Sequence, residues 1–115
     1  MTNLRVSPEL AELLAVPENR AVFERERSIN RYVVAIEETM ASLGISKTLL
    51  AEKTQKRVQA VSRALQGRQN LTIGTMVDLA VALGKTVEVQ VVDLDPIVTA
   101  TESTASELQR AQHSR

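Results

Sequence analysis

The sequence predicts a small, mainly α-helical protein with an extra helix near its N-terminus and one β-strand toward its C-terminus. Three observations carry this expectation. Short amphipathic stretches are punctuated by Gly44, Gly67 and Gly84, and glycine is the residue that most easily ends a helix in the left-handed conformation. Apolar residues make up 43% of the 115 residues but aromatic ones only 2%, namely Phe23 and Tyr32, so the core must be aliphatic. One stretch alone, residues 86–92 (TVEVQVV), alternates with period two, placing Val87, Val89 and Val91 on one face.

The elements follow in order. Ser7-Pro8-Glu9 reads as a helix start, with a capping hydroxyl, proline in the first helical position and an acid in the first turn. Leu10, Leu13 and Leu14 give that helix its apolar face, and Val16-Pro17 interrupts it, because the residue before proline is pushed out of helical space. A second helix can start near Pro17. Its apolar positions Val22, Ile29, Val33, Ile36, Met40 and Leu43 fall on one face. The gap at Glu24-Arg25-Glu26-Arg27 is charged all round, so the pattern fits either one long helix or two with a break near Ser28. After Gly44 the elements shorten. Ser46 caps a helix running through Lys53, another spans about residues 57–66, and Thr72 caps a last helix carrying Leu79, Ala80 and Leu83. Residues 94–115 are polar and read as a flexible tail, with a frayed helix at about 106–112. The expected organisation is thus a helical extension (1–27), a folded domain (28–85), a strand (86–93) and the tail.

The formal net charge is zero, but its distribution is uneven. Residues 1–27 carry four basic and five acidic groups, residues 28–85 eight and four, and residues 86–115 two and five. Lys47, Lys53, Lys56, Arg57, Arg63 and Arg68 face Glu52 alone between residues 47 and 68. Such a patch is either a solvated surface or the footprint of a phosphate-binding face. With no cysteine and one histidine, His113, the chain offers neither disulfides nor an ordinary zinc site, and no cofactor is expected. Glu37 and Glu38 diverge by about 100° on a helix and so make no acid–base pair. No nucleophile–base set or glycine-rich phosphate loop is visible, which argues against an enzyme. No apolar run is long enough to span a bilayer, the N-terminus has no leader-like pattern, and the lack of cysteine agrees with the cytoplasm.

The most informative segment is LLAEKTQKRVQAVSRALQG, residues 49–67. Two short helices that cross steeply need a small residue where their backbones approach, and Ala51 supplies it. Val61 and Leu65, four apart, form the inner face of the second helix and pack toward Leu50. The outer face then carries Arg57, Gln59, Ser62, Arg63 and Gln66. A convex helix bearing amide and guanidinium groups suits the B-DNA major groove, where those groups form paired hydrogen bonds to adenine and guanine edges.

With LLAEKT, VQAVSRAL, QGRQNLT and TMVDLAVALG in place, residues 29–84 resemble the XRE family of helix-turn-helix regulators, the group that includes the lambda-type phage repressors. The stretch from Ser62 to Gly84 is similar to small prophage regulators and to antitoxins. The resemblance implies a compact five-helix lambda-repressor-like bundle, usually a homodimer on a palindromic double-stranded DNA operator. It places base reading on Arg57, Val58, Gln59, Ser62 and Arg63. It places phosphate contacts on Lys47, Lys56, Gln66, Arg68, Gln69 and Asn70. Two positions depart from the family pattern: Gln55 stands where the turn usually has glycine, and Lys56 where it is often apolar. Val58 either touches a thymine methyl or seals the helix start, and Asn70 and Thr72 also serve as caps.

Two functions share this DNA-binding half. One is a transcriptional repressor; the other is an antitoxin that neutralises a toxin protein through residues 1–27 and 86–115 and regulates its own operon. Aromatic poverty argues against single-stranded RNA, which is usually bound by stacking. The lone strand at 86–92 must pair either with the short stretch 3–6 or with a second copy of itself.

Overall fold

The computed structural model describes residues 3–67 and 71–99. Its elements are β1 (Leu4–Val6), α1 (Pro8–Leu14), α2 (Pro17–Leu43), α3 (Lys47–Thr54), α4 (Val58–Leu65), α5 (Ile73–Ala82) and β2 (Ile97–Thr99). The chain forms two units. One comprises Met1–Glu24 with Val91–Arg115, the other Arg25–Gln90. The mainly helical architecture is as expected, with five helices among the described residues, α1 included, and a small two-stranded sheet.

In the first unit β1 and β2 pair in parallel, Leu4 opposite Ile97 and Val6 opposite Thr99. Leu4 N also donates to the Pro96 carbonyl at 2.8 Å. Ser7 Oγ accepts from Leu10 N at 3.2 Å, and Pro8 opens α1, as the local signal predicts. Arg20 is only 7% exposed. A guanidinium cannot be withdrawn from water without acceptors. Its Nε donates to Glu24 Oε2 at 2.8 Å and its Nη2 to the Asp95 carbonyl at 2.9 Å. This ties the first turns of α2 to the backbone just before β2.

The second unit holds the main core. Ile36 and Met40 of α2, Leu50 and Ala51 of α3, Val61, Ala64 and Leu65 of α4, and Leu79, Ala80 and Leu83 at the end of the domain form one buried cluster. Leu50 and Leu79 are fully buried and Val61 is 1% exposed, so α3, α4 and α5 each give one side chain to its centre. Half-buried Tyr32 donates its hydroxyl to the Met76 carbonyl at 2.9 Å, which joins α2 to α5. Gly67 ends α4 at φ +68°, a conformation that strains any residue with a side chain; a Cβ there would meet Ile29 Cγ2 at 3.5 Å, an ordinary contact, so the backbone conformation and not lack of space favours glycine.

Several expectations require correction. The strand expected at 86–92 is not formed: those residues have no regular secondary structure, and Val89 and Val91 are 64% and 100% exposed. The alternation is real, but a ladder needs a partner, and among the described residues none lies beside this segment. The weaker stretch at 4–6 pairs instead with Ile97–Thr99, three half-buried residues that fell within the expected flexible tail. The N-terminal extension accordingly holds a strand as well as helix. α2 is one unbroken helix, since residues 24–27 contain no proline or glycine and Glu and Arg are good helix formers. Its apolar stripe is shorter than predicted: Val33, Ile36 and Met40 are buried, whereas Val22 and Leu43 are 48% and 50% exposed. The helix expected at 106–112, and His113, lie outside the described residues.

Burial pushes the Tyr32 phenol up from 10.0 to about 12. The unfolded chain loses this proton near the ordinary value and the folded chain does not. The stabilisation is therefore complete below pH 10.0 and is lost as pH rises toward about 12. Urea midpoints measured across that window should fall more steeply for the wild type than for Tyr32→Phe. Identical slopes would show that the phenol is solvated.

Candidate nucleic-acid interface

The candidate interface comprises α3, the turn after it, and α4. Ser46 Oγ accepts from Leu49 N at 3.1 Å and so starts α3 at Lys47, whose exposed side chain stands in the first turn. At the other end Gln55 N donates to the Glu52 carbonyl at 3.2 Å and Lys56 N to the Ala51 carbonyl at 3.0 Å. This pair of bonds satisfies the last carbonyls of a helix around a left-handed residue. The same pattern closes α2, where Ile45 N donates to the Met40 carbonyl at 2.9 Å, and α5, where Lys85 N donates to the Ala80 carbonyl at 2.9 Å. Those two turns have glycine at the left-handed position. Here it is Gln55, at φ 55°, the one non-glycine residue with positive φ among the described residues.

The turn delivers the chain to α4 through Arg57, whose backbone is extended (φ −75°, ψ 147°) and whose carbonyl, not its side chain, caps the helix. The Arg57 guanidinium is therefore not engaged in capping. Helix α4 then divides cleanly. Val61, Ala64 and Leu65 are buried, the first and last four residues apart and so on one face. Arg57, Val58, Gln59 and Arg63 are exposed and Ser62 is half-buried. All five predicted base-reading positions thus lie in the first turns or on the outer side of a helix whose inner side is fixed by the core.

The predicted phosphate-contacting residues divide differently. Lys47 begins α3 and Gln66 caps the C-terminal end of α4, both exposed. Arg68, Gln69 and Asn70 lie outside the described residues. Lys56 is less available than the sequence implied: its Nζ lies 3.6 Å from Asp78 Oδ2, with 30% of its side chain exposed. It links the turn to α5, and a contact of this kind contributes little stability. Lys56 and Arg63 border one shallow groove with Thr72 and Thr75. Thr72 is chiefly a cap, its Oγ1 accepting from Thr75 N at 3.1 Å. The Lys56–Asp78 and Tyr32–Met76 contacts had no sequence signal, because each joins residues far apart in the chain.

Residues 36–90 match the helix-turn-helix family model. The segment that contains α3, the Gln55 turn and α4 is a DNA-binding helix-turn-helix domain of the XRE, lambda-repressor-like type. Comparison with curated proteins and with solved structures gives no match. Among the described residues, no group of acidic, histidine or cysteine side chains could hold a metal ion, and no helix is long and apolar enough to cross a membrane.

Holding a residue with a Cβ in the left-handed region costs about 1–2 kcal/mol, part of which glycine returns through its greater freedom in the unfolded chain. Gln55→Gly should therefore raise stability by about 0.5–1 kcal/mol, read as a higher urea midpoint at unchanged slope. A fall would mean that the Gln55 side chain makes contacts worth more than the strain.

Proposed function

We propose that this protein is a sequence-specific transcriptional regulator, a repressor that binds a palindromic double-stranded DNA operator as a homodimer in the cytoplasm. The observation that carries the reading is the division of α4. Its buried side anchors it to α3 and α5, and its outer side presents two guanidinium groups, an amide and a small apolar side chain. Arg57 and Arg63 suit guanine edges, Gln59 suits adenine, and Val58 suits a thymine methyl. Lys47 and Gln66, at the start of α3 and the end of α4, are suited to the flanking phosphates, which position the reading helix without specifying sequence.

Fluorescence titrations against cognate and random duplexes over a salt series would separate the two roles. Gln59→Ala and Arg63→Ala should each cost about 1–3 kcal/mol on the cognate site and relax specificity. Lys47→Ala should weaken every duplex alike and flatten the salt dependence by about one ion. Equal losses on cognate and random DNA for Gln59→Ala and Arg63→Ala would remove α4 from the reading role.

A second reading, an antitoxin that also occupies a toxin protein, is favoured by the first unit. There Leu13, Val16, Val22 and Leu94 are 57%, 44%, 48% and 62% exposed, apolar side chains that a protein partner could cover. Leu13→Asp should then leave DNA affinity unchanged and abolish growth rescue when the chain is co-expressed with a toxin encoded beside it. Undiminished rescue would exclude that surface.

A further inference from the structure

The segment 86–92 was expected to be a strand, and in the single chain it is not. Residues 86–94 take no part in the backbone hydrogen bonds among the described residues. Yet this segment carries the strongest strand signal in the sequence. Its start is fixed: Lys85 N is bonded to the Ala80 carbonyl at 2.9 Å, and Val87 packs half-buried against the core of the second unit. Beyond Val87 the apolar side chains are left in water, Val89 at 64% and Val91 at 100% exposure. Backbone groups with no partner among the described residues and alternating exposed valines together form an unfilled strand position.

The sequence of this segment also indicates what fills it. Val87-Glu88-Val89-Gln90-Val91 reads nearly the same in both directions. A two-fold axis makes any strand that meets its own copy antiparallel. If the axis passes through Val89, then Val89 faces Val89 of the partner subunit and Val87 faces Val91 of the partner subunit. Glu88 faces the partner's Gln90. All valines then lie on one face and all polar side chains on the other, with β-branched pairs across the ladder. The two carboxylates stand opposite amides and not opposite each other. A shift by one residue would set valine against polar residues and break both faces. A strand of another protein would need to supply this pattern; a second copy of the chain supplies it by symmetry.

We propose that residues 87–91 pair antiparallel with the same residues of a second copy, with the two-fold axis at Val89. The proposal rests on the reading of the protein as a dimeric regulator and specifies where and in what register it dimerises.

The chain has no cysteine, so single introduced thiols report the register directly. Opposed residues of an antiparallel pair have Cα atoms about 4.5–5.5 Å apart, within the range a disulfide spans. Val89→Cys should therefore shift under mild oxidation from monomer to dimer mass on a non-reducing gel. Val87→Cys and Val91→Cys should each remain monomeric on that gel. Their copies stand four residues out of register, about 14 Å apart. An equimolar mixture of those two variants should cross-link. As an independent measure, Val89→Asp should halve the sedimentation mass of the full chain while leaving its helical circular dichroism intact. Cross-linking of all three single variants alike, of none, or of Val87→Cys in preference to Val89→Cys would overturn the proposal, as would a Val89→Asp chain that remains dimeric. Binding of each variant to a single half-site duplex keeps the two questions apart. Retained binding without cross-linking refutes the joint alone, whereas loss of half-site binding in wild type refutes the DNA-binding reading.

Discussion

The structure of the DNA-binding domain depends on one contact: Leu50, Val61 and Leu79, from α3, α4 and α5, meeting with almost no exposure to solvent. Each is fully enclosed, so each helix has only one rotation about its own axis that keeps its side chain inside. Ala51, 2% exposed, shares this core, and its small side chain permits close approach of backbones. With these positions set, the outward direction of Arg57, Gln59 and Arg63 is no longer a matter of local preference. It is the complement of the face that Val61 and Leu65 bury. Truncating a core side chain of this kind costs about 2–5 kcal/mol, whereas a surface arginine contributes within about 0.5 kcal/mol. On the proposed reading, stability and recognition would be carried by different faces of one eight-residue helix.

This separation explains how much of the fold was legible in the sequence. Helix ends could be read because their chemistry is local: Ser7, Ser46 and Thr72 each accept the N–H three residues on, and Gly44, Gly67 and Gly84 take positive φ. The inner and outer faces of α4 could be read because a period of 3.6 with fixed anchors leaves no freedom. The continuity of α2 could not be decided, since a fully charged stretch gives no periodicity, and only the absence of a helix breaker there argued for one helix. The β1–β2 pairing was hardest to see. Each strand is three residues long, and the partners lie 93 positions apart in sequence, Leu4 against Ile97. No local pattern specifies so distant a pairing. The side-chain ties of Lys56 to Asp78 and of Arg20 to Asp95 were hidden for the same reason.

Gln55 shows how the turn tolerates an unfavourable residue. The left-handed position is imposed by two backbone bonds, from Gln55 and Lys56, that satisfy carbonyls at the end of α3. Each such bond contributes about 0.5–1.5 kcal/mol, so the pair offsets much or all of the torsional strain of a non-glycine residue, about 1–2 kcal/mol. The left-handed turn therefore forms without the usual glycine. Lys56, which follows, is held near Asp78 rather than packed inward as an apolar residue would be. The two departures from the family pattern thus alter the chemistry of the turn, while the register of α4 is secured downstream by the burial of Val61 and Leu65.

The same core also governs how two copies could share one operator. The chain leaves α5 through a closed turn, with Lys85 bonded back to Ala80 and Val87 resting on the cluster that Leu79 and Leu83 help to form. Helix α5 thus leads into the 87–91 segment through residues that are held to the core. A joint formed by that segment would transmit its geometry through packed elements to α4, and the distance between two reading helices would be a property of the fold. Half-sites of a palindrome are read together only when that distance is near one turn of DNA, about 34 Å. Specificity for half-site spacing, as distinct from half-site sequence, would therefore originate in the packing of half-buried Val87 against the cluster that holds Leu79 rather than in any residue that touches DNA.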